Sequence, residues 1–128
     1  VERWCSERGY CDWIIPQLYY GFEDEAVPFD KACDNWSRLD TMGTVRMIYG
    51  IAAYKINDSD EEFDAGNGII EKEISVAKAT DNYGGVAFFS YTSLTNPDFS
   101  VEFKNIKSSV FTETSAEKEG EQSSGNTE

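Results

Sequence analysis

Val45-Arg46-Met47-Ile48-Tyr49-Gly50-Ile51-Ala52-Ala53-Tyr54 is a near-continuous apolar run that gains a polar aromatic at its carboxyl end. Two further runs read the same way, Trp13-Ile14-Ile15-Pro16-Gln17-Leu18-Tyr19-Tyr20 and Gly85-Val86-Ala87-Phe88-Phe89-Ser90-Tyr91. Runs of this kind belong to parallel strands covered on both faces, and helical periodicity follows each. Pro28-Phe29-Asp30 opens one helix, with Phe29, Ala32, Cys33, Trp36 and Leu39 on a single stripe and Gly43 as its stop. A second helix spans about Gly68–Thr80, with Ile69, Ile70, Ile74 and Ala77 inward and Glu71, Lys72, Glu73 and Lys78 elsewhere. A third, about Phe99–Val110, is expected to pack through Phe99, Phe103, Ile106 and Val110. The order is β-α-β-α-β-α, and right-handed crossovers make the strands parallel.

That grammar predicts part of a β/α barrel, whose chemistry lies beyond the carboxyl ends of its strands. A barrel needs eight such units and three are present. The expected fold is therefore the C-terminal part of a (β/α)8 TIM barrel, residues 1–111, with the remainder missing upstream. Val1–Cys5 reads as the last turn of a helix entering a strand.

The 128 residues carry 24 acids and 11 bases, a formal charge of −13, which disfavours nucleic acid or an anionic membrane as partner. From Glu113 to Glu128 there are five glutamates and one lysine. Residues 112–128 hold no large apolar side chain and are expected to form a disordered acidic tail or linker. No membrane-length apolar run and no signal peptide is present. With no histidine, Ser-His and Cys-His nucleophiles are excluded. Cys5, Cys11 and Cys33 lack metal-ligand spacing, so no metal or other cofactor is expected; Cys5 and Cys11 could bridge across a short turn, but buried free thiols are the simpler reading. The acidic run Asp58–Asp64 fails the EF-hand pattern, because Phe63 stands where glycine is required.

Candidate site residues lie at the strand ends. Gln17, in an apolar strand, either bonds a ligand hydroxyl at the mouth or is satisfied by neighbouring strand ends. Tyr19 and Tyr20 offer rings that stack on sugar faces, and Glu23 beside them is either a catalytic carboxylate or a loop acid shaping the site. Tyr54 and Lys55 end the second strand. Lys55 holds a ligand group, pairs with an acid such as Glu23, or is simply solvated. Ser90 and Tyr91 end the third strand.

The blocks Asp12–Glu23, Pro28-Phe29 with Trp36, Ile48–Ile56 and Gly85–Leu94 together resemble the glycosyl hydrolase-like 10 family of bacterial TIM-barrel glycoside hydrolases. The resemblance implies that the three strands are the sixth to eighth of the barrel. It also implies a cell-wall polysaccharide substrate and an extracellular or envelope location. Gln17, Tyr19, Tyr20, Glu23, Tyr54, Lys55 and Ser90 become site-lining positions. The family's Asp-Asp-Tyr acid motif is absent, so a full catalytic pair is not supplied. The alternative is a small non-catalytic α/β carbohydrate-binding domain.

Overall fold

The computed structural model describes residues 1–109; the expected acidic tail lies outside them. The elements run α1 (Glu2–Ser6), β1 (Trp13–Ile14), α2 (Phe29–Ser37), β2 (Arg46–Ile51), α3 (Ile69–Lys78), β3 (Tyr83–Phe88), α4 (Tyr91–Leu94) and α5 (Ser100–Ser109). The three strands form one parallel sheet in the order β1-β2-β3, with Ile14 opposite Met47 and Ile51 opposite Phe88.

The barrel expectation is overturned. The sheet is open: β1 and β3 each pair only with β2 among the described residues. Three strands about 4.8 Å apart make a ribbon that cannot curl into a cylinder. Both crossovers step in the same direction, so right-handed connections lay α2 and α3 on one face of the sheet. On that face Met47, Tyr49 and Ile51 are buried against Phe29, Cys33, Ile70, Ile74 and Ile106. The other face is not covered by the described residues. Trp13 and Ile15 lie open on it, Trp13 at 58% exposure. An apolar run therefore did not mean two covered faces here, and the inference to a barrel fails at that step.

β1 is also shorter than its apolar run. Pro16 has no N–H to give, so the strand lapses after Ile14 and resumes only as a bridge between Gln17 and Gly50. Two hydrogen bonds hold it there: Gly50 N–H donates to Pro16 O at 2.8 Å, and Leu18 N–H donates to Gly50 O at 3.0 Å.

Two helix faces differ from their expected pattern. Glu73 on α3 is 1% exposed, packed inward with Ile69, Ile70, Ile74 and Ala77. On α5, Glu102 is buried while Phe103 is 48% exposed. Glu102 earns its place: its Oε1 accepts from Gly66 N–H at 3.3 Å and Gly68 N–H at 3.0 Å, fastening the loop before α3. The three cysteines are free thiols. Cys33 is buried in the core, and burial pushes its thiol up to about 12, with nearby Glu73 and Asp30 adding to the shift.

Candidate functional site

The carboxyl ends of the strands converge on a cluster of rings. Tyr19 and Tyr54 meet edge to face at 5.9 Å between centroids. Phe89 lies 5.9 Å from Tyr19 and 6.1 Å from Tyr54. The backbone fixes this arrangement: Phe89 N–H donates to Ile51 O at 2.9 Å, and Tyr54 N–H donates to Phe89 O at 3.2 Å. Strand pairing thus continues one residue beyond β2 and β3 and sets two rings side by side. The rings remain open, Tyr54 at 45% and Phe89 at 55% exposure. Burial, with a smaller contribution from Tyr54, raises the Tyr19 hydroxyl above its ordinary range, so it stays a hydrogen-bond donor at neutral pH.

The other expected residues are placed in different ways. Tyr20 is exposed on the turn after Tyr19, and Tyr91 stands 79% exposed at the start of α4. Ser90 is half-buried; its N–H donates to Ser93 Oγ at 3.4 Å, and its carbonyl accepts from Ser93 N–H at 3.0 Å. Gln17 is exposed on the strand it bridges, so no buried amide needs a partner there. Lys55 sets its ammonium 5.1 Å above the ring of buried Phe63, a cation–π contact that turns it inward. Glu23 is exposed, and its backbone N–H donates to Glu62.

Phe89 was not among the expected site residues. Its signal was the two-residue period of the third strand: Gly85, Ala87 and Phe89 share one face, and the core takes Val86 and Phe88.

Glu62, inside the acidic run, was also missed. Its carboxylate accepts from Phe22 N–H at 2.6 Å and Glu23 N–H at 3.1 Å, strapping the long loop to the turn that follows Tyr20. Gly21 makes room for it, since a Cβ there would run into the Glu62 carboxylate. A concavity of about 460 Å³ opens beside this strap, lined by Phe22, Glu23, Glu61, Asn67 and Lys72 among others. Glu62→Ala should cost about 2–3 kcal/mol, because two charge-assisted bonds go at once. Hydrogen exchange at the Phe22 and Glu23 amides should quicken in that variant; unchanged protection would refute the strap.

A second concavity, about 550 Å³, lies at the opposite, amino end of the sheet and includes Ser37, Asp40, Arg46 and Asn82. Its polar groups bond one another: Ser37 Oγ–H donates to Asn82 Oδ1 at 2.9 Å, and Asn82 Nδ2–H donates to Ser37 O at 3.2 Å. That is a joint between loops. Among the described residues, no group of three or more acid, cysteine or histidine side chains is placed to hold a metal ion, and no helix is long and apolar enough to cross a membrane.

Comparison with known proteins gives a carbohydrate-related signal of limited reach. The chain is 27% identical over 102 residues to Glycosyl hydrolase DigH of Escherichia coli strain K12, covering 76% of this chain and 23% of that protein. The DigH of Shigella flexneri gives the same figures. Glycosyl hydrolase YngK of Bacillus subtilis strain 168 is 36% identical over 59 residues, 46% of this chain and 11% of that protein. No protein-family profile matches the chain. The expected assignment to the glycosyl hydrolase-like 10 family as a TIM-barrel segment is therefore corrected: the similarity is partial and the sheet is not a barrel. What stands is an α/β domain with an open three-stranded parallel sheet whose sequence resembles proteins named glycosyl hydrolases.

Proposed function

We propose that this chain forms a small α/β carbohydrate-binding domain that stacks a polysaccharide on the trough of Tyr19, Tyr54 and Phe89. The observation that carries the reading is the mutual packing of these rings at 5.9–6.1 Å, with two of them about half exposed. Soluble domains rarely leave large rings together in water without a use, and flat aromatic faces suit the C–H faces of pyranose rings. Tyr20, Tyr91 and Gln17, exposed at or near the same strand ends, carry groups able to bond sugar hydroxyls. The similarity to glycosyl hydrolases supports carbohydrate as the ligand class and descent from an enzyme lineage. Hydrolysis needs two carboxylates set across the scissile bond, whereas stacking needs only the rings already in place. Binding is therefore the reading preferred here. A polysaccharide ligand would place the protein's action at the cell envelope or outside the cell.

The test is calorimetric titration of the full 128-residue chain with a neutral β-1,4-linked N-acetylglucosamine hexamer. Saturable binding is expected, and Tyr54→Ala or Phe89→Ala should each weaken it about tenfold, the loss of one stacked ring. Both side chains are half exposed, so circular dichroism should not change. Absence of binding to any neutral glycan, or unaltered affinity in both variants, overturns the proposal.

A further inference from the structure

The two ends of the sheet differ sharply in charge. The loops at the carboxyl end, residues 19–28, 52–68 and 89–99, hold nine acids and one base, Lys55. The loops at the amino end, residues 7–12, 38–45 and 79–82, hold four acids and two bases. The strong negative field therefore belongs to the end that carries the rings. Lys55 offsets one of these nine charges; its ammonium lies 5.1 Å from the centroid of the buried Phe63 ring. Several of the acids are held in place by backbone donors. Asp24 Oδ1 accepts from Ala26 N–H at 2.9 Å and Val27 N–H at 2.8 Å, Asp60 Oδ1 accepts from Glu62 N–H at 3.1 Å, and Glu62 straps Phe22 and Glu23. These bonds fix the carboxylates in position. Asp98 adds a further acid in the small cavity it lines with Tyr54.

We infer that the trough selects glycans by charge, taking neutral and amino-bearing sugars and rejecting chains of uronic acids or phosphorylated sugars. This rests on the carbohydrate-binding reading above: the rings make the contact and the surrounding carboxylates decide which glycans reach it. A uronic-acid chain would bring one negative charge per residue into a field of the same sign, with Lys55 the one base in the described loops at that end. A chain of free hexosamines would bring the complementary charge. Fields of this sort act over about 10 Å at moderate salt, so acids in the flanking loops matter without touching the ligand.

Three hexasaccharides separate the outcomes when titrated into the full chain at about pH 5.5: N-acetylglucosamine (neutral), glucosamine (cationic) and galacturonate (anionic). At about 20 mM salt the cationic hexamer should bind at least tenfold tighter than the neutral one, and the anionic hexamer at least tenfold weaker. In about 0.5 M salt these differences should shrink to within about threefold, since screening removes them. Glu25→Gln combined with Asp58→Asn, both exposed loop acids, should reduce the cationic advantage and leave neutral binding as it was. Galacturonate binding on a par with the neutral hexamer overturns the inference while leaving the glycan site standing. Failure of all three hexamers overturns the glycan site itself. Equal binding of hexalysine and the glucosamine hexamer would also overturn the inference, because charge alone would then be recognised.

Discussion

Gly50→Ala will lower the stability of this domain by about 2–4 kcal/mol and loosen the tyrosine that follows β1. An added Cβ at position 50 would stand 2.8 Å from the Pro16 carbonyl oxygen and 3.3 Å from Gln17 Cα. Both neighbours are backbone, so neither can swing aside as a side chain would. Relief requires the 16–18 segment to move off β2, and that segment is held by the two hydrogen bonds at Gly50. Overpacking costs about 1–3 kcal/mol, and each bond lost adds about 1 kcal/mol. β1 has little in reserve, since beyond this bridge its only partners on β2 are at Arg46 and Met47. Urea denaturation should show the midpoint falling with the slope unchanged. Tyr19 lies one residue past the displaced segment, so affinity for the neutral hexamer should fall together with stability. A melting curve that superimposes on wild type would show that the first strand yields freely, and that Gly50 is not needed for close approach.

Much of this architecture was legible in the chain. The three helices after the strands appear at the positions the i, i+3, i+4 stripes indicate, although on α5 Phe103 of that stripe lies outward. Parallel order followed from the helical lengths between the strands, which forbid tight hairpins. Closure was not legible. Local patterning records that Met47, Tyr49 and Ile51 are buried, yet Trp13 and Ile15 are equally apolar and stand in the open. No property of a single strand says how many neighbours the sheet has. The ring cluster was half legible: Tyr19 and Tyr54 stand out as polar aromatics at strand ends, whereas Phe89 looks like one more member of an apolar run. Glu62, Glu73 and Glu102 were hidden for a different reason. Acids are placed outward by default, and their positions were decided by tertiary donors or by the helix face on which they fall. For Glu73 a clue existed, since it lies four residues after Ile69 and four before Ala77.

That buried acid gives the second large effect, a stability that declines as pH rises. Burial pushes the Glu73 carboxyl from 4.5 up to about 9, reinforced by Glu62 and Glu102 and opposed by Lys55. Those three groups, with Cys33 on α2, are the titratable or charged side chains coupled to it. Between these two pH values the folded chain keeps a proton that the unfolded chain has released. The folded state then binds more protons, and the free energy of unfolding must fall with rising pH. The full contribution is present below about pH 4.5, declines by at most about 1.4 kcal/mol per unit above it, and levels off beyond about pH 9. Glu73→Gln isolates the effect, because the amide has nearly the same shape and no charge to bury. Chemical denaturation at a series of pH values should find the two proteins alike near pH 4.5 and the variant more stable by several kcal/mol near pH 8.5. Subtracting one curve from the other cancels the remaining acids, which are common to both. A difference that stays flat across that range would mean Glu73 is ionised in the folded protein, with compensation from Lys55 or from solvent reaching its Oε2, the atom that has no hydrogen-bond partner inside the fold.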